Sequence, residues 1–274
     1  MPNFSLDDAV FERAAEKYPT PFYLYDGGGI RRAARELYAA FAWNKGFRQY
    51  YAVKALPNPA ILKLLMEEGC GLDCSSHTEL LLARMAGARG EDIMFSANAM
   101  PLSELTQARE MGACINLDDA SDADSLLALG PVPRCVSLRV NPGQLGAGHN
   151  GIMGGALDAK FGLLPGQLEP ALLKLKAAGL ARFGLHAMTV SNTLDSAYYP
   201  NNAALLFKLG LELEAKTGLK LDFVNLSGGL GIPYHEEEKP LDLAQTGEAV
   251  HAVSAAAQAT ERVSPPAEAA EAAG

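Results

Sequence analysis

Short, β-rich apolar runs alternate with longer amphipathic stretches along most of this chain. The runs are Phe47–Ala55, Leu72–Ser75, Ile93–Asn98, Cys114–Leu117, Cys135–Val140, Phe183–Val190 and Phe223–Gly228. The first five recur at intervals of roughly 21 residues, close to the minimum for a strand, two short loops and a short helix. A leucine-rich repeat has a similar period, but its LxxLxLxxN pattern is absent.

The stretches between the runs carry helix signals at both ends. Asn58 can cap a helix whose first residue is Pro59, where the missing N–H costs nothing. Ser76 and Glu79 have capping-box spacing. Gly69, Gly87, Gly112, Gly130, Gly179 and Gly218 each follow an apolar-periodic stretch, where a left-handed residue ends a helix well. The longest predicted helix, near Tyr199–Thr217, places Leu205, Leu206, Leu209 and Leu213 on one face.

Repeated βα units with near-continuous apolar strands predict a parallel sheet buried on both faces. Even spacing without a switch point favours a (β/α)₈ TIM-type barrel over an open doubly wound sheet. Seven barrel strands can be identified; an eighth is not found. After Tyr234 the sequence offers one helix around Leu241–Val263, and Ser264–Gly274 is Ala/Glu-rich with Pro265-Pro266 and reads as frayed. The expected organisation is therefore a barrel over residues 1–243 that lacks its last strand, followed by an Ala-rich helical or disordered tail over 244–274.

Composition narrows the picture. Of 274 residues, 49% are apolar, enough for a substantial core. The net charge of −9 disfavours non-specific nucleic-acid binding, because an acidic surface repels phosphate backbones. No apolar run is long enough to span a bilayer, and the N-terminus lacks the basic and apolar regions of a signal peptide. The expected location is the cytoplasm. Cys70, Cys74, Cys114 and Cys135 sit in apolar segments without a CxxC pair and are read as reduced core thiols.

Barrel chemistry sits at the carboxyl ends of the strands. Lys54 ends the first run; its amine can condense with an aldehyde, or the side chain can snorkel to the rim. Asp73 lies in the second run, where a carboxylate needs a partner. Glu79 can act near the same mouth or simply close the cap with Ser76. Arg139 ends the fifth run and can pair with an acid such as Asp73 or hold an anion. His186, in the sixth run, is a core residue or a flat ring for stacking. Ser227, Gly228 and Gly229 follow the seventh run, where glycines let backbone N–H groups approach a phosphate. Gly146–Gly151 matches GxGxxG, but no helix start follows the third glycine. It is read as a loop over the barrel mouth rather than a dinucleotide site.

Several segments together resemble the pyridoxal 5′-phosphate-dependent decarboxylases of diaminopimelate, ornithine and arginine, most closely bacterial diaminopimelate decarboxylase. They are TPFYLYD (Thr20–Asp26), YAVKALPNP (Tyr51–Pro59), LDCSSHTEL (Leu72–Leu80), Ser96–Asn98, LRVNP (Leu138–Pro142), Lys160–Gly162 and NLSGGLGIPY (Asn225–Tyr234). The resemblance implies that Lys54 carries the cofactor and that His186 stacks on its ring. It implies that Ser227, Gly228 and Gly229 hold its phosphate, with Asp73, Glu79 and Arg139 nearby. The implied reaction is meso-diaminopimelate to L-lysine and CO₂, and the implied assembly is a homodimer of the full-length protein.

This sequence departs from the family pattern in places. The sixth strand reads HAMTVSN rather than HxGS, so Ser191 is only a possible counterpart of that serine. The EPGR-like eighth-strand segment and the C-terminal β-domain are not found, so the chain as written is expected to be weakly active or inactive. A non-catalytic cofactor-binding protein, a racemase-like barrel and an inactive scaffold stay open as alternatives.

Overall fold

The computed structural model describes residues 6–143 and 161–263. The loop matching GxGxxG, Lys160 and the segment Ser264–Gly274 lie outside the described residues. Seven parallel strands form one sheet in strictly sequential order: β1 (Tyr50–Ala52), β2 (Gly71–Cys74), β3 (Ile93–Phe95), β4 (Cys114–Leu117), β5 (Val136–Arg139), β6 (Arg182–His186) and β7 (Lys220–Asn225). Sequential order with a helix after each strand is the wiring of a TIM-type barrel, not of a doubly wound sheet. The sheet curls on itself, since Asn225 Nδ2 on β7 reaches Met94 Sδ on β3 at 3.1 Å.

Nine helices are seen among the described residues: α1 (Asp8–Lys17), α2 (Gly27–Ala40), α3 (Pro59–Glu67), α4 (His77–Ala86), α5 (Leu102–Glu110), α6 (Ala120–Ala128), α7 (Pro165–Ala177), α8 (Tyr198–Thr217) and α9 (Leu243–Val263). Their ends follow the sequence signals. The Asn58 side chain accepts from Ala60 N at 2.9 Å, with Pro59 opening α3. All six glycines named above as helix stops have positive φ. Gly87, at φ 103°, closes α4 in a conformation that a Cβ would strain.

Burial follows position in the sheet. The central strands β4 and β5 are buried at every residue, as helices cover the outer face and side chains fill the inner one. β1 and β7 are mostly half-buried, because each has a neighbour on one side only among the described residues. The strand gap does not extend to the helix layer. α9 packs against both α8 and α2, carrying Val250 and Val253 into a cluster with Phe41, Tyr198 and Tyr199. The approach is close enough at Gly247 that a Cβ there would overlap the carbonyl of Ala40.

Two expectations need correction. The first run is not a strand throughout: pairing with β2 stops at Ala52, and Val53–Ala55 forms a 3-10 turn. The four cysteines are not all free. Cys114 and Cys135 form a disulfide with a Cα–Cα separation of 4.6 Å, whereas Cys70 and Cys74 are free and buried. The separation of 21 residues equals one βα repeat, so the fold sets Cys114, the first residue of β4, beside Cys135, the residue before β5. No helix among the described residues is long and apolar enough to cross a membrane.

Candidate active site

Inward-facing side chains converge at the carboxyl ends of the strands. Parallel pairing fixes which ones meet: Arg139 is opposite His186, and His186 is opposite Asn225. His186 is buried, and both ring nitrogens are engaged at the ring edge. Nδ1 lies 2.7 Å from Asn116 Nδ2, and Nε2 lies 3.2 Å from Ser227 Oγ. Edge-on contacts of this kind hold the plane of the ring and leave its face for stacking. Burial, then the nearby Arg139 charge, lower the His186 pKa to about 3, so the ring is neutral at physiological pH.

Ser227 starts the glycine turn in a left-handed conformation, φ 67°, which is uncommon for a residue with a Cβ. Its N–H donates to Asn225 Oδ1 at 2.8 Å, so the preceding asparagine holds the turn. Gly229, at φ 83°, runs so close to the loop after β6 that a Cβ would stand 2.8 Å from Val190 O. A Cβ at Gly228 would meet nothing within 4 Å, so open space lies against the backbone there. An anion can approach main-chain groups at such a position.

On the opposite side of the mouth, Asp73 Oδ1 is buried without a hydrogen-bond partner among the described residues. Burial raises the Asp73 pKa to about 7; a Ser96 hydrogen bond and the Lys54 and Arg139 charges pull it down, and Glu79 pushes it up. Lys54 sits in the 3-10 turn after β1 and is exposed. The desolvated amine expected from the sequence is not what is seen: β1 is paired only with β2 among the described residues, and Lys54 follows it exposed. Its charge still acts on the Asp73 carboxylate.

Glu79 and Arg139 have other partners. Ser76 caps α4 as its spacing predicted, its Oγ accepting from Glu79 N at 3.4 Å, and the Glu79 carboxylate in turn accepts from Ser75 N and Ser75 Oγ, both at 2.9 Å. Arg139 pairs with Asp118 rather than Asp73: Nη1 donates to Asp118 Oδ1 at 2.8 Å and to Asn98 Oδ1 at 2.7 Å. Phe161 lies against the same guanidinium, 5.1 Å from ring centroid to Cζ.

Asn98, Asn116, Asp118 and Ser137 were not singled out from the sequence as site residues. The signal for two of them was present: Asn116 and Ser137 are polar positions inside otherwise apolar strand runs, and buried polar groups require partners.

The residues present suit a flat, phosphorylated aldehyde such as pyridoxal phosphate. They supply an amine, a buried carboxylate oxygen with no partner among the described residues, a neutral ring held by its edge and open backbone at a glycine turn. Residues 28–268 match the family model described as the pyridoxal-dependent decarboxylase, pyridoxal binding domain. Protein TabA of Pseudomonas amygdali pv. tabaci is 39% identical over 241 residues, covering 88% of this chain and 56% of that protein. Diaminopimelate decarboxylase of Methanothermobacter thermautotrophicus is 36% identical over 239 residues, covering 86% of this chain and 55% of that one. The crystal structure of Helicobacter pylori diaminopimelate decarboxylase complexed with L-lysine matches with a TM-score of 0.78 at 27% identity, over 89% of this chain and 62% of that chain. This chain thus spans little more than half the length of the curated relatives it matches, and it belongs to the pyridoxal-dependent decarboxylase family through that family's pyridoxal-binding domain.

Proposed function

We propose that this chain is the cofactor-binding barrel of a pyridoxal phosphate-dependent amino-acid decarboxylase that converts meso-diaminopimelate to L-lysine and CO₂. The observation that carries the reading is the carboxylate oxygen of Asp73, without a partner among the described residues and buried within electrostatic reach of Lys54 at the mouth of a barrel that also presents the Ser227–Gly229 turn.

When bound, the cofactor supplies an electron-withdrawing ring that takes up the electron pair left behind as CO₂ departs. The chain's own residues bind, orient and neutralise. Lys54 would hold the cofactor through its amine, at the aldehyde carbon. His186, uncharged, presents an apolar face to a ring without adding a competing positive charge. Ser227 and the backbone at Gly228 and Gly229 are suited to anchor a phosphate, and the Arg139–Asp118 pair stiffens the rim between β4 and β5. Asp73, with a pKa near 7, can accept or release a proton beside Lys54 at little cost.

The choice of diaminopimelate rests on the named relatives; a homodimeric full-length protein and a cytoplasmic location are part of the same proposal. The test is chemical. The chain is mixed with pyridoxal phosphate, reduced with borohydride and mapped by peptide mass. The cofactor mass is expected on the peptide containing Lys54 and should be lost in Lys54→Ala. A label spread over several surface lysines, unchanged by that substitution, would refute the assignment.

A further inference from the structure

We propose that Ser137 and Asn116 are positioning residues: through a one-way chain of hydrogen bonds they fix His186 as the Nε2–H tautomer and keep the Ser227 hydroxyl hydrogen available to a bound phosphate. The last link rests on the reading of the Ser227–Gly229 turn given above; the tautomer itself does not.

The chain links three strands and the turn after β7. Ser137 on β5 and Asn116 on β4 are register partners, and both are almost fully buried. Ser137 Oγ donates to Asn116 Oδ1 at 2.6 Å. An amide oxygen can only accept and an amide nitrogen can only donate. With its oxygen committed to Ser137, Asn116 turns its NH₂ toward His186 Nδ1, 2.7 Å away. That nitrogen must then present its lone pair. A neutral imidazole carries one ring proton, which is left to Nε2.

Nε2 faces Ser227 Oγ at 3.2 Å and donates to it. A serine oxygen that accepts one hydrogen bond still has its own hydrogen to give. The hydroxyl belongs to the residue that opens the glycine turn, beside the open space at Gly228. Were the chain reversed, with Nδ1 protonated, Nε2 would need the Ser227 hydrogen and the turn would lose that donor. Among the described residues, the charged group acting on the ring is Arg139 on β5, which is itself paired with Asp118 and disfavours a second ring proton. Burial lowers the histidine's pKa in the same sense.

The tautomer can be read without cofactor or turnover. The full chain, labelled with ¹⁵N-histidine, is measured at neutral pH by long-range ¹H–¹⁵N correlation, and His186 is assigned by its loss in His186→Gln. The expected pattern is a protonated, pyrrole-type Nε2 and an unprotonated, pyridine-type Nδ1. Asn116→Asp replaces the donor with an acceptor and should convert Nδ1 to the pyrrole type. Ser137→Ala should give a mixture of tautomers, since the amide can then turn. A protonated Nδ1 in the wild-type chain overturns the proposal even if both variants fail to fold. An unchanged pattern in folded Asn116→Asp overturns it as well.

Inorganic phosphate separates this from the underlying reading. Ser227→Ala should bind it about tenfold more weakly than wild type, the value of one hydrogen bond to a charged group. Equal binding would remove the phosphate role of the turn and with it the Ser227 link, whatever the tautomer.

Discussion

Arg139 Nη1 and Asp118 Oδ1 meet at 2.8 Å inside the barrel, with the two side chains only 9% and 8% exposed. Such a pair is not a large net source of stability, because both ions are taken out of water. Removing one partner is another matter. Asp118→Ala should destabilise the chain by about 3–5 kcal/mol, since the guanidinium stays buried with Asn98 and the Phe161 face as its remaining partners among the described residues. Asp118→Asn should cost less. Urea unfolding followed by circular dichroism measures both, and equal stability of Asp118→Ala and wild type would contradict the role assigned to the pair.

Asp73 and His186 give the cofactor-free chain two opposing pH dependences. The folded Asp73 has a pKa near 7 against an ordinary 3.8, so the folded state holds a proton that the unfolded chain has lost. Its contribution is full at the acid end and is lost as pH rises from about 4 through 7. His186 runs the other way. Its folded pKa near 3 against 6.5 means that the unfolded chain takes up a proton the folded one refuses, so stability falls as pH drops from 6.5 toward 3. Relative to wild type, Asp73→Asn should gain stability as pH rises from 4 to 8, and His186→Gln should gain as pH falls from 6.5 toward 3. Unfolding free energies measured across that range would expose parallel curves if either shift is absent.

Gly247 is where α9 meets α2, and any side chain there collides with backbone rather than with a movable side-chain tip. Gly247→Ala should cost about 1–3 kcal/mol, and Gly247→Val more. The chain has one tryptophan, Trp43, stacked on His251 of α9 with ring centroids 4.5 Å apart. Its fluorescence reports directly whether α9 is docked. A Gly247→Val spectrum and melting temperature matching wild type would mean that the helices do not touch there.

The Cys114–Cys135 disulfide predicts a thiol count. Protein purified without reductant and then denatured should react at Cys70 and Cys74 only, and at all four cysteines after reduction. Four reactive thiols before reduction would restore the reading made from composition.

Much of the architecture was legible from local chemistry. The 21-residue rhythm, the Asn58–Pro59 cap and the glycine stops specify βα units because strand pleat, helix period and left-handed helix ends are properties of a few consecutive residues. The placement of Lys54, Asp73, His186 and Ser227 around the barrel mouth was legible for a similar reason: a polar residue toward the carboxyl end of an apolar strand in such a unit lies there. Partner choice was not legible. Whether Arg139 meets Asp73 or Asp118, and whether Cys114 meets Cys135, depend on register between strands tens of residues apart. Only the folded sheet sets that register, through hydrogen bonds and side-chain packing that no short segment contains. Tertiary structure also decided that Lys54 is exposed, because solvent access at an edge strand depends on what lies beside it, not on the residues flanking the lysine in sequence.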